Sequence, residues 1–157
     1  MDWSHYSPQE LLAIYAELMS ELRSREVIRS SNNPIADYTE NLVAKALKLE
    51  LVGKSTAGHD AIDFAGVRYQ IKGRRITQKN GSTQLSAIRN LASNPFDLLA
   101  AVVFNPDFSV GYAALIPISV VQEKSTFSKH TNSSIFHFKP TLLADPRIQD
   151  ITSRLAT

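Results

Sequence analysis

The sequence predicts an α/β protein built on a small mixed sheet of about four strands, with helices on both of its faces. Three observations carry that prediction. Two segments near the start repeat their apolar residues at helical spacing, a central stretch alternates apolar and polar residues as a hairpin does, and two longer apolar runs follow as strands.

Ser7-Pro8-Gln9-Glu10 is a capping box with proline at the first helical position, and Leu11, Leu12, Tyr15, Leu18, Met19 and Leu22 follow on one helical face. A first helix is expected from Pro8 to about Val27. SSNNP at 30–34 breaks it, and Asn33 before Pro34 suits a new start. Ile35, Tyr38, Leu42, Val43, Ala46 and Leu47 then mark a second helix ending near Leu49 or Glu50.

LVGKSTAGHD reads as a loop, after which AIDF and VRYQIK form the two arms of a hairpin turning at Ala65-Gly66. TQLSAIRNLA predicts a third helix closed by Asn94-Pro95. LLAAVVF is apolar enough for a central strand buried on both faces, and VGYAALIPI is the next strand, reached through NPDFS. Beyond Val120 we expect a short strand over Ile135–Phe138 and a final helix from about Pro146. No repeat or linker divides the chain, so one domain is expected over 1–157: an N-terminal helix (1–32), a core (33–121) and a C-terminal extension (122–157).

A chain of 157 residues, 43% hydrophobic and 20% charged, has the composition of a folded soluble domain. The absence of cysteine excludes disulfides, thiolate metal sites and cysteine nucleophiles, and fits a reducing compartment. His5, His59, His130 and His137 lack zinc-site spacing. MDWSHYSPQE does not read as a signal peptide, and the longest apolar run, LLAAVVF, is far short of the ~20 residues that span a bilayer. The expectation is a cytoplasmic protein with no membrane partner. The net charge is only +2, but no acidic residue lies between Asp63 and Asp97, while Arg68, Lys72, Arg74, Arg75, Lys79 and Arg89 do. Such a block makes an electropositive surface suited to phosphate-rich partners, the plainer alternative being a solvated basic face.

Glu40, Asp60, Asp63, Gln70 and Lys72 are the residues that could do chemistry. Gln70 and Lys72 are two apart on a strand and share a face. Carboxylates and a hard amide oxygen beside a lysine suit magnesium-assisted phosphodiester hydrolysis, in which the ion polarises the phosphoryl group and the lysine holds the attacking water. The facing aspartate depends on register. A two-residue Ala65-Gly66 turn would bring Asp63 to that face but would hold Ala65 at positive φ; a three-residue Phe64-Ala65-Gly66 loop puts Gly66 in the left-handed position and Asp60 opposite Gln70. Turn chemistry favours Asp60, and Asp63 is the second choice. Asp37, one turn before Glu40, either shares its face or serves as an early-helix acid.

Glu40 in IADYTENLVAKAL, Asp60 in GHDAID and Gln70-Ile71-Lys72 in YQIKGRR together resemble the PD-(D/E)XK superfamily of restriction-endonuclease-like nucleases. The resemblance spans roughly Pro34 to Pro117, where the order of elements also matches that superfamily's core. It implies a DNA-cutting hydrolase, of the endonuclease type, that uses magnesium or manganese. Glu40 would be the helix-borne acid, Asp60 the main metal ligand, Gln70 the second ligand, the Ile71 carbonyl an extra one, and Lys72 the catalytic lysine. His59 stands where the pattern has proline, and Gln70 replaces its second acid, which lowers the formal site charge by one. Arg74, Arg75, Lys79 and Arg89 are expected to meet DNA phosphates. Ser86, one helical turn from Arg89, could join them. A homodimer or a larger complex is compatible with the chain's size. Two alternatives stand beside the nuclease: a DNA-binding module that has lost cleavage, and the catalytic subunit of a larger defence or mobile-element assembly.

Overall fold

The computed structural model describes residues 1–156, among which four α-helices surround a six-stranded mixed sheet accompanied by a two-stranded hairpin. The first helix, α1, runs Pro8–Ser24 with the Ser7/Glu10 capping box formed. It stops short of Val27 because the chain turns at Arg25 and Glu26 takes a left-handed φ of 57°. The second helix, α2 (Ile35–Leu47), is likewise closed early, by Lys48 in the left-handed conformation.

Six strands follow the order β1 (Glu50–Leu51), β2 (Ala61–Ile62), β3 (Arg68–Arg75), β4 (Leu98–Phe104), β5 (Val110–Pro117) and β8 (Gln149–Asp150) across the sheet. The pair β3 and β4 is parallel and the other pairs are antiparallel. The two extra strands beyond the expected four are the two-residue edges β1 and β8, too short to leave a period in the sequence. β4 is central, as its composition requires. Leu99, Ala101 and Val103 enter a core with Phe96, Ile116, Phe136 and Phe138, while Ala100, Val102 and Phe104 enter a second core with Val43, Ile71, Ile151 and Leu155.

The expected third helix does not form. Residues 83–90 run irregularly and are tied to the distant 134–138 segment: Leu85 N–H donates to Phe136 O at 3.0 Å, and Ile88 and Ser134 exchange two backbone bonds. Leu85, Ile88 and Leu91 have helix-like spacing, but each is buried in the first core by this pairing rather than by a helical stripe. Asn90, at a left-handed φ of 52°, opens a short 3-10 turn at Leu91–Ser93. α3 (Ile118–Lys124) follows β5 directly, and β6 (Thr126–Ser128) with β7 (Ser133–Ile135) forms the small hairpin. The strand expected at Ile135–Phe138 therefore begins and ends earlier, and the C-terminal helix is reduced to α4, Thr152–Leu155. No helix among the described residues is long and apolar enough to cross a membrane.

Candidate active site

The hairpin that carries the candidate residues turns through a three-residue loop. Asp63 N–H donates to Val67 O at 3.1 Å, and Gly66 has φ +81°, a conformation that costs glycine little. Ala61 pairs with Tyr69 and Ile62 with Arg68, a register that sets Asp60 across from Gln70. Asp63, the second choice, is occupied with the turn: its Oδ1 accepts Ala65 N–H at 2.9 Å and Val67 N–H at 3.0 Å, and its Oδ2 accepts the Tyr69 hydroxyl at 3.3 Å.

β2 pairs only two residues of β3, so the second half of β3 is laddered on its β4 side alone. Into this fork the Asp60 carboxylate projects, its Oδ2 accepting the Ile71 N–H at 2.7 Å and the Gln70 side-chain amide. Gln70, Lys72 and Arg74 lie opposite Leu99, Ala101 and Val103 of β4 and share their face. On that face Lys72 Nζ donates to Ser86 Oγ at 2.8 Å, and Arg74 Nε donates to Ser82 O at 3.0 Å. Ser86 thus reaches the site from the extended 83–90 segment, not from a helix.

Glu40 comes from α2, which approaches β3 at Gly73. A Cβ on that glycine would lie 3.0 Å from Thr39 Cβ, closer still to Thr39 Oγ1, and 3.2 Å from Phe104 Cε2. The absence of a side chain at 73 therefore sets how near Thr39, and Glu40 after it, can come. Glu40 forms an ion pair with Arg29 from the loop between α1 and α2. Asp37, one turn earlier, holds that loop: its carboxylate accepts the backbone N–H groups of Arg29 (2.8 Å) and Ser30 (2.6 Å) and the Lys54 ammonium (2.8 Å). Burial alone would raise the Asp37 pKa, but Lys54, Ser30 and the two amides outweigh it and hold the carboxyl at about 2.

The charges at the fork feel one another. Burial pushes the Asp60 carboxyl above its ordinary range, against the Ile71 N–H and the Lys72 charge. Burial likewise raises Glu40, the Arg29 guanidinium opposing and the Asp60 carboxylate adding to the rise. Lys72 is pushed below its ordinary value by burial, with Asp60 and Glu40 pulling it back up. Two acids and an amine in mutual Coulombic reach, all partly withdrawn from water, form an electrostatically strong cluster.

A cavity of about 260 Å³ opens between Arg29, Asp37, Glu40, Lys54, His59 and Asp60. A cleft of about 580 Å³ lies beside Gln70, lined by His59, Arg68 and Arg89, and another of about 770 Å³ lies between α1 and the end of β3 beside Arg74 and Ser86. Arg89 therefore borders the site, and Lys79 is exposed in the Thr77–Asn80 turn. Arg75 does not share the face of Lys72. Its guanidinium lies 4.4 Å from the centroid of the Phe108 ring and donates to Pro106 O at 2.8 and 2.5 Å, bracing the β4–β5 turn.

No group of three or more His, Asp or Glu side chains among the described residues converges as a metal site. The hard donors at the fork are Asp60, Glu40 and the Gln70 amide oxygen. Asp60 Oδ2 is the atom that receives the protein donors, and turning over the Gln70 amide would present Oε1 in place of nitrogen. This donor set fits a weakly held hard cation that takes most of its shell from water and phosphate, as magnesium does.

Arg29 and Lys54 border the candidate site and were not foreseen from the sequence, whereas Ser86, expected on a helix as a phosphate contact, is bonded to Lys72 instead. Arg29 and Lys54 flank turn-rich segments with no periodic signal, so the sequence offered no sign that they meet α2. Comparison of the chain with family models and with curated proteins finds no match to either.

Proposed function

We propose that the chain is a magnesium- or manganese-dependent nuclease of the PD-(D/E)XK, restriction-endonuclease-like kind, hydrolysing DNA phosphodiester bonds. The observation that carries this reading is the convergence of Asp60, Gln70, Lys72 and Glu40 on one fork of the sheet, from a hairpin and a helix in the order that superfamily uses. The ion would be held by Asp60, Glu40 and the Gln70 amide oxygen, and when bound it supplies a Lewis acid for the phosphoryl oxygen and an acidified water. The Ile71 N–H fixes the Asp60 carboxylate in position. Lys72, braced by Ser86 Oγ, would orient the attacking water and offset charge growing on phosphorus, and its burial would strengthen that interaction. Arg89, Arg74 and Lys79 would meet backbone phosphates, which position the strand without reading its bases.

A second reading has its own observation. Both acids already have protein partners, Glu40 in Arg29 and Asp60 in Gln70 and Ile71, as in a DNA-binding module that keeps the fold without cleaving.

Supercoiled plasmid incubated with magnesium or manganese separates the two. The nuclease should nick it, and Lys72→Ala and Asp60→Ala should each lose roughly 10²–10⁴-fold in rate. If wild type and both variants are equally inert while binding DNA alike, the enzyme proposal falls and the binding module stands.

A further inference from the structure

Arg29 is fixed by its backbone and loosely held by its side chain. The loop that carries it is tied to α2, where Asp37 accepts the Arg29 N–H at 2.8 Å and the Ser30 N–H at 2.6 Å, and the Asn41 amide donates to Glu26 O at 2.9 Å. Ile28, just before it, is buried. The guanidinium by contrast bonds to one group among the described residues, the Glu40 carboxylate, and its other N–H donors have no protein partner. Its side chain is 37% exposed against 15% for Glu40, so the arginine is the outer member of the pair. Both border the cavity that Asp60, His59 and Lys54 also line.

A cation held by Glu40 would face this guanidinium as a like charge on the same carboxylate. Leaving Glu40 costs the arginine little if another anion replaces it, because its planar fork fits phosphate as well as carboxylate. Such an anion is also what the fork would then require. The Asp60 and Glu40 carboxylates, set against a divalent ion, the Lys72 ammonium and the Arg29 guanidinium, leave an excess of positive charge that a phosphodiester offsets. We infer that Arg29 is a metal-displaced phosphate ligand: it covers Glu40 in the metal-free protein, and when Glu40 takes the cation its guanidinium turns to a backbone phosphate of the bound DNA. The inference rests on the nuclease proposal for its ion and its substrate, and adds to it a residue from the loop between α1 and α2.

Titration calorimetry of the full chain with manganese alone tests the displacement. Arg29→Ala should bind the ion tighter by roughly tenfold, because the acid is uncovered, and Arg29→Gln, neutral and of similar reach, should do the same. In a Glu40→Gln background Arg29→Ala should change nothing, which separates the pair from a general loss of positive charge. Binding of a duplex oligonucleotide to the Lys72→Ala chain at increasing salt tests the phosphate contact. With saturating manganese, adding Arg29→Ala should reduce the slope of log affinity against log salt by about one; in chelator the slope should not change. An unchanged manganese affinity, or an equal gain in the Glu40→Gln background, overturns the inference. So does a slope that stays constant with manganese, or one that falls equally in chelator. A chain that binds no manganese in any variant ends this inference and the nuclease proposal together. The expected manganese and oligonucleotide results with plasmid left intact remove the nuclease proposal and leave this one standing.

Discussion

Gly73→Ala probes the contact that brings α2 to the site. The added methyl would sit 3.0 Å from Thr39 Cβ and 3.2 Å from Phe104 Cε2, and nearer still to Thr39 Oγ1. Thr39 and Phe104 are both fully buried, and the Thr39 hydroxyl is committed to Ile35 O at 2.5 Å, so neither can swing away. Overpacking of this kind costs about 1–3 kcal/mol. For a chain of this size that lowers Tm by roughly 2–12 °C. Thr39→Ala removes the nearest clashing atom, Oγ1, and leaves the Cβ at 3.0 Å and Phe104 Cε2 at 3.2 Å, so adding Gly73→Ala should cost clearly less in the Thr39→Ala background than in wild type, with a coupling of about 1 kcal/mol or more. Since Glu40 follows Thr39, Gly73→Ala should also weaken manganese binding by titration calorimetry, and the double variant should recover part of it. Thermal unfolding of the four proteins is the assay. A Gly73→Ala chain as stable as wild type, or one that Thr39→Ala does not relieve, would refute the reasoning that this glycine sets the helix-to-strand distance.

Asp63→Ala should cost about 1.5–3 kcal/mol, because the hairpin turn loses an ionised acceptor for two amides and a hydroxyl, yet leave plasmid nicking intact at temperatures where it is folded. Loss of nicking without loss of stability would return Asp63 to the site. Asp37 is depressed in the fold from 3.8 to about 2, so its contribution is complete above pH ~4 and is lost as the pH falls through 2. That contribution is about 2 kcal/mol, and urea titrations should show Asp37→Asn flattening the acid limb of stability by this amount. Gln70→Glu puts a second carboxylate against Asp60: melting should occur at a lower temperature without metal, and magnesium should bind tighter on the order of tenfold or more. An unchanged magnesium affinity would remove Gln70 from the ligand set.

Much of the geometry of the candidate site was legible before the fold. The hairpin register followed from turn chemistry, since Ala65 resists positive φ and Gly66 accepts it, and that one choice selected Asp60 over Asp63. The alternation Gln70, Lys72, Arg74 also settled which cations share a face and should have separated Arg75, whose odd place in that alternation sends it to Phe108. The partners of the acids were not legible. Arg29 meets Glu40 across a loop, and Lys54 meets Asp37 across 17 residues, contacts that leave no local pattern.

What the amino-acid order determined by itself is what short-range physics controls: the capped first helix, the amphipathic second helix, the three-residue hairpin loop and a β4 apolar enough to lie at the centre. Tertiary structure decided the rest. Leu85, Ile88 and Leu91 could have formed a helical stripe or an irregular strip, and the backbone partners that chose the strip lie nearly fifty residues later at 134–138. The approach of α2 to β3 depends on Gly73 meeting Thr39, a steric fact visible only when the two elements face each other. Local periodicity reports how a segment can bury its own apolar side; which backbone groups it bonds to, and how close two elements come, depends on atoms elsewhere in the chain.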